Sequence, residues 1–69
     1  MIEFELEGRE FIELNKLLKI LRLVGTGGEA NNYIVEGYIR VNNVIETQKR
    51  KKLRAGDRIE FEGYEIVIK

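Results

Sequence analysis

Lys49, Arg50, Lys51, Lys52 and Arg54 put five cations into six consecutive positions, interrupted only by Leu53. At neutral pH these side chains share one chemistry: they stay charged and donate hydrogen bonds to anions. At this density they create a field that draws in polyanions, and nucleic-acid phosphates are the commonest polyanion in a cell. Yet the 69-residue chain has a formal net charge of zero, with 12 Lys or Arg against 12 Asp or Glu. The charge is segregated. Residues 1–13 carry five Glu against Arg9 alone, residues 14–58 carry ten cations against four acids, and the last eleven carry three Glu against Lys69. The plainer reading of such a run is a solvated loop that keeps a small domain dispersed.

Other chemistry is thin. His and Cys are absent, and so is Ser. That removes the commonest general base and metal ligand, the thiol nucleophile, and any Ser-type triad. Without Cys there is neither a disulfide nor a thiolate metal site. Glu3, Glu5 and Glu7 alternate with Ile2, Phe4 and Leu6, and Glu60 and Glu62 repeat the pattern, so these acids belong on the wet side of a sheet rather than in a catalytic pair. The residues point away from an enzyme and away from any metal or cofactor. No apolar stretch approaches the roughly 20 residues that span a bilayer, and the start has no basic-then-apolar signal; a cytoplasmic location is the expectation.

The elements that must position the cations follow from periodicity. At 69 residues and 43% hydrophobic content there is material for one small core, which predicts a single domain over residues 1–69 of modest stability. The alternation from Ile2 predicts a strand that Gly8 ends. Leu14, Leu17, Leu18 and Leu21 then mark one helix stripe, with Lys16, Lys19 and Arg22 on the opposite arc. Thr26-Gly27-Gly28-Glu29 reads as a capping box opening a second helix through Ala30 and Ile34 to about Glu36, stopped by Gly37. Gly27 and Gly28 each weaken the first turn by about 1 kcal/mol relative to Ala. That cost implies close approach of the backbone to another part of the protein or to a phosphate. Tyr38–Val41 is a strand, Asn42-Asn43 a tight turn with positive φ, and Val44–Glu46 the return. Thr47–Lys52 reads as an exposed loop. Gly56-Asp57 turns the chain into Arg58–Glu62, and Gly63 turns it again into Tyr64–Ile68. The expected class is α+β: strand, two short helices, then a small antiparallel sheet of short strands.

From Leu14 onward this order resembles the RNA-binding domain named for small-subunit ribosomal protein S-four, the alpha-L RNA-binding motif. The pieces are the Leu helix, the glycine-bounded capped helix, Gly37-Tyr38-Ile39-Arg40-Val41-Asn42-Asn43, and Leu53-Arg54-Ala55-Gly56-Asp57-Arg58-Ile59. The stretch is similar to the small stand-alone bacterial members of the YbcJ and YaaA kind, which carry a strand before the first helix and a Ser-Gly-Gly-like start to the second. The resemblance implies a non-catalytic module that binds structured RNA, with ribosomal or tRNA-like RNA as partner. Gly27 stands where the wider family commonly has Arg, and Asn31 and Asn32 stand at sites that are often basic.

With that resemblance, the expected RNA-binding face comprises Lys16, Lys19, Arg22, Gly27, Gly28, Asn31, Asn32, Arg40, Lys49, Arg50, Lys51, Lys52 and Arg54. The loop supplies most of the charge, the Gly27 and Gly28 amides offer a phosphate contact, and the two Asn can donate to and accept from a 2′-hydroxyl or base edge. Tyr33 and Tyr38 either stack on a base or pack against the core. A monomer is expected, with a protein neighbour in a ribonucleoprotein as a further partner. The competing function is a protein-interaction adaptor that docks an acidic partner on the same basic patch. An anionic lipid surface is the weakest reading, since no exposed apolar helix face backs the cations.

Overall fold

The computed structural model describes all residues, Met1–Lys69. Nine elements run in the order β1 (Ile2–Phe4), β2 (Ile12–Glu13), α1 (Leu14–Ile20), α2 (Gly27–Val35), β3 (Ile39–Val41), β4 (Val44–Ile45), β5 (Lys52–Leu53), β6 (Arg58–Phe61) and β7 (Tyr64–Ile68). Five strands form one sheet in the order β1-β7-β6-β3-β4, and β2 pairs with β5 in a separate two-stranded ribbon. This is the expected α+β class with two differences. The main sheet is mixed, because β1 joins β7 in parallel, Ile2 opposite Ile66 and Phe4 opposite Ile68. A parallel partner needs a long crossover, and here the chain passes through both helices and the other strands first. The second difference is the β2–β5 ribbon, with Ile12 opposite Leu53 and Glu13 opposite Lys52.

One face of the main sheet is covered. Ile39, Val41, Ile59, Phe61, Ile66 and Ile68 are buried with Leu14, Leu17, Leu18, Ala30 and Ile34 of the helices, and no buried residue is polar or charged. Alternation sends Arg40, Glu60 and Glu65 to the other face, where they align in one row beside Ile45. The glutamates at 3, 5, 7, 60 and 62 are exposed, as their alternation predicts. No helix is long and apolar enough to cross a membrane.

Both helices end in a Schellman motif, in which two turned-back amides satisfy orphan carbonyls. In α2 the amide of Gly37 donates to Ile34 and that of Tyr38 to Tyr33, with Gly37 at φ 84°. In α1 the amide of Arg22 donates to Lys19 and that of Leu23 to Leu18, and here the left-handed position at φ 60° holds Arg22. Lys16, Lys19 and Arg22 therefore do not share one helical arc: the helix closes at Ile20, two residues before Arg22.

The two motifs that flank the basic run are tied to each other. Asn42 and Asn43 make the β3–β4 turn at φ 52° and 70°. Asn42 Nδ2 donates to Asp57 Oδ1 at 3.0 Å, and its Oδ1 accepts from the Arg58 amide at 3.0 Å. The second Asp57 oxygen accepts from the Arg54 amide at 2.8 Å. Each short polar residue thus fixes a turn on another segment, as Asx side chains do.

Candidate nucleic-acid interface

The basic run is held against α1 by its own backbone. Glu13, the N-cap of α1, makes no side-chain cap, so the first amides of the helix need other acceptors. The Leu14 amide donates to the Lys51 carbonyl at 2.9 Å and the Asn15 amide to the Lys49 carbonyl at 3.1 Å. With Lys52 already in β5, the stretch expected to be a free loop is anchored at two carbonyls and a strand. Its side chains are left outward: Lys49, Arg50, Lys52 and Arg54 are exposed and Lys51 is half-buried. None of the five lies within salt-bridging distance of a carboxylate.

The same anchoring brings the loop beside the first turn of α1, which packs on α2. Lys16 stands on the first turn of α1 and pairs with Glu13 at 3.4 Å. Asn15 Nδ2 donates to Asn31 Oδ1 on α2 at 3.2 Å. Asn31 thus spends its carbonyl within the fold and has its NH₂ group to offer. Lys19 follows Lys16 by one turn and has no acidic partner. Arg22 lies beyond the C-terminal end, about 12 Å along the axis from Leu14 at 1.5 Å per residue. The cations form a strip from the anchored loop along α1.

Four expected residues are placed elsewhere or differently. Arg40 projects from the outer face of the sheet, opposite Glu60 in register and on the side away from the helices; the alternation that buries Ile39 and Val41 forces this. Asn32, about 100° around α2 from Asn31, lines a cavity of about 240 Å³ with Glu29, Tyr33, Glu36 and Tyr38, an acidic neighbourhood. Gly27 and Gly28 do open α2, but no packing requires them. A Cβ at Gly27 would meet nothing within 4 Å, and one at Gly28 would meet only Thr26 Oγ1 at 3.9 Å. The capping box forms in modified shape. Thr26 Oγ1 accepts from the Glu29 amide at 3.1 Å as expected, while the Glu29 carboxylate accepts from Gly25 at 2.6 Å rather than from Thr26. That carboxylate already places negative charge at the helix N-terminus.

The tyrosines divide. Tyr33 packs edge-on against buried Phe61, with ring centroids 4.9 Å apart. Tyr38 meets the Tyr33 ring edge-on at 5.9 Å between centroids and is 62% exposed, beside Glu36. The aromatic residue that does stand among the cations is Phe11, whose ring centroid lies 4.9 Å from Lys52 Nζ and 5.7 Å from Arg54 Cζ. Sequence reasoning passed over it, as it passed over Asn15. The only signal was the triplet Phe11-Ile12-Glu13, whose two adjacent apolar residues fit no period.

The S4 domain family profile matches residues 4–69. YbcJ of Escherichia coli (strain K12), provisionally named an RNA-binding protein, is 34% identical over 68 residues, covering 99% of this chain and 97% of YbcJ. RlbA of Bacillus subtilis (strain 168), provisionally named a ribosome maturation protein, is 33% identical over 55 residues, covering 80% of this chain and 78% of RlbA. The solution structure of E. coli YbcJ, described as revealing an αL motif involved in RNA binding, superposes with a TM-score of 0.75 over 99% of this chain and 86% of that one. The profile spans nearly the whole chain, both helices and both coupled turns included, and the chain belongs to the S4 domain family.

Proposed function

We propose that this protein is a non-catalytic RNA-binding module that recognises structured RNA, ribosomal or tRNA-like, through the anchored basic loop and the adjoining flank of α1. The observation that carries the reading is the loop itself. Five cations without a carboxylate partner are fixed by two backbone hydrogen bonds to a helix end. A solubility tail has no need of such anchoring. Holding like charges together is unfavourable until an anion arrives, and a polyanion releases counterions as it binds. The RNA-binding descriptions of YbcJ support the choice of RNA over other polyanions, and the ribosome maturation name of RlbA supports a ribosomal target.

A rigid strip of this kind reads the shape of a helix or junction, with phosphates and 2′-hydroxyls as its contacts. The test is fluorescence anisotropy against an RNA hairpin, a matched DNA duplex and an unstructured strand, each at two salt concentrations. Salt-dependent binding that favours the folded RNA is the expected result. Equal weak binding to all three would instead favour the docking of an acidic protein on the patch.

A further inference from the structure

We propose that Phe11 is a stacking platform for one unpaired RNA base, set within the basic surface; the proposal rests on the RNA-binding reading above. It begins with the register of the small ribbon. Ile12 is buried and sits opposite Leu53, and Glu13 sits opposite Lys52. One step further, the same antiparallel register sets Phe11 across from Arg54. The outward side of the ribbon therefore shows Phe11, Glu13, Lys52 and Arg54. Arg54 also reaches the Glu10 carbonyl at 3.5 Å, which keeps its guanidinium close to the ring.

Beside the half-buried ring opens a cavity of about 270 Å³ lined by Arg9, Phe11, Ile12, Glu13 and Lys16. Lys52 and Arg54 do not line it, so the ring has those two cations on one side and, on another, open space whose wall also carries Arg9 and Lys16. That volume is just below the roughly 300–1,000 Å³ of pockets that enclose whole drug-sized ligands. It suits one planar ring system. Glu13, paired with Lys16 at 3.4 Å, is the one carboxylate in that wall. It can accept hydrogen bonds from the N–H groups of a base, which a phosphate lacks, while Arg9 and Lys16 suit the phosphate beside it. Lys16, Lys52 and Arg54 around the rim are placed for the flanking phosphates.

The other aromatic rings do not compete for this role. Phe61 is buried and Tyr33 packs on it. Phe4 packs against the core cluster, which Phe11 does not join. Tyr38 and Tyr64 line a separate cavity in which Glu60, Glu62 and Glu65 face Arg40 alone, a net acidic neighbourhood that repels an RNA backbone. Stacking on Phe11 adds to the shape-reading strip a preference for a bulge, loop or frayed end next to a helix, since only there can a base swing out.

The experiment compares a fully paired RNA stem with the same stem carrying one bulged purine, against wild type and Phe11→Leu. Leu keeps the apolar contact with the fold and removes the flat ring. Loss of one base–aromatic stack corresponds to roughly a tenfold to hundredfold drop in affinity. Wild type is expected to bind the bulged stem about tenfold or more tighter than the paired one, and Phe11→Leu to bind both alike at the paired-stem level. In NMR spectra of wild type, the Phe11 ring protons should move upfield with the bulged stem and stay in place with the paired one. This readout stands even if the variant fails to fold. Equal wild-type affinity for the two stems, or static Phe11 resonances, overturns the stacking platform and leaves RNA binding intact. No affinity for either stem overturns the RNA reading itself.

Discussion

Replacing Lys49, Arg50, Lys51 and Lys52 together by Ala separates an RNA contact from a solubility loop. The structure supplies the magnitude. Along the strip, Lys19, Lys49, Arg50, Lys51, Lys52 and Arg54 have no carboxylate partner, and Arg22 adds a seventh free cation at the far end. If each neutralises one phosphate of a helical RNA, log K falls against log salt with a slope of about −5 to −6. A rise from roughly 50 to 200 mM salt then weakens wild-type binding by a few thousandfold. The quadruple variant keeps two or three of these cations, so its slope should flatten to about −2 to −3 and the same step should cost only about ten- to fortyfold. The fold should persist, because the contacts to Leu14 and Asn15 come from the Lys51 and Lys49 carbonyls, which Ala retains. Exposed side chains of this kind change stability by about 0.5 kcal/mol or less each. Anisotropy titrations at four or five salt concentrations give the slope, and thermal melts give the control. An unchanged slope in a folded variant would refute the reasoning, since the loop would then contact no phosphate.

Arg40→Ala is the matching control: it removes one cation from the outer sheet face, and RNA affinity should change by less than about twofold at constant salt. A loss as large as that of a loop lysine would show that RNA also engages the outer face. Arg22→Gly relieves a left-handed backbone at a helix end and should raise stability by about 1 kcal/mol, a gain of roughly 4–8 °C in Tm; the salt slope should flatten by about one if Arg22 touches a phosphate. Gly27→Ala with Gly28→Ala meets no obstructing atom and should stabilise α2 by up to about 1 kcal/mol per site, read from denaturant midpoints. RNA affinity should be unchanged, because Glu29 already supplies the anion at that terminus; a clear loss would place a phosphate on the two amides. Asp57→Ala deletes acceptors for Asn42 and for the Arg54 amide and should cost about 2 kcal/mol, measured by urea unfolding.

What the sequence made legible was whatever repeats over several residues or sits at a tight turn. The alternation around β1, β6 and β7, the leucines of α1, Gly37 at the end of α2 and Asn42-Asn43 all took the expected form. Two-residue strands carry no period, so the β2–β5 ribbon was invisible, and with it the placement of Phe11 among the cations. Helical periodicity extended one turn too far, because nothing local distinguishes Arg22 in a helix from Arg22 in the left-handed residue that closes one. Arg40 was assigned to the wrong face although its parity with Ile39 and Val41 was available. Neighbours in a strand point opposite ways, and Ile39 and Val41 are the buried pair. Gly27 and Gly28 suggested a close approach that the packing does not contain.

Zero net charge and a polyanion partner are compatible because the fold separates the two signs. Arg58 pairs with Glu65 at 3.1 Å and Lys69 with Glu3 at 3.7 Å, so two of the cations outside the strip are spent on the acidic sheet face. The five of the basic run are not. Screening limits such fields to about 8–10 Å at ordinary ionic strength, while the protein is about 20 Å across in its shortest dimension. A phosphate approaching the loop therefore feels the loop and little of the opposing acids. The same distance makes the acids useful, since an RNA that arrives on the sheet side meets repulsion and must turn the protein before it can bind. The chain at Arg22 adds an argument of a different kind. Two equivalent helix ends carry the same motif, and at one of them the backbone has the glycine it prefers. At the other it accepts strain of about 1 kcal/mol at an exposed cation, Arg22. Glu7 and Glu62 take the same left-handed conformation without glycine, so the salt slope of Arg22→Gly, and not the strain, decides whether Arg22 touches a phosphate.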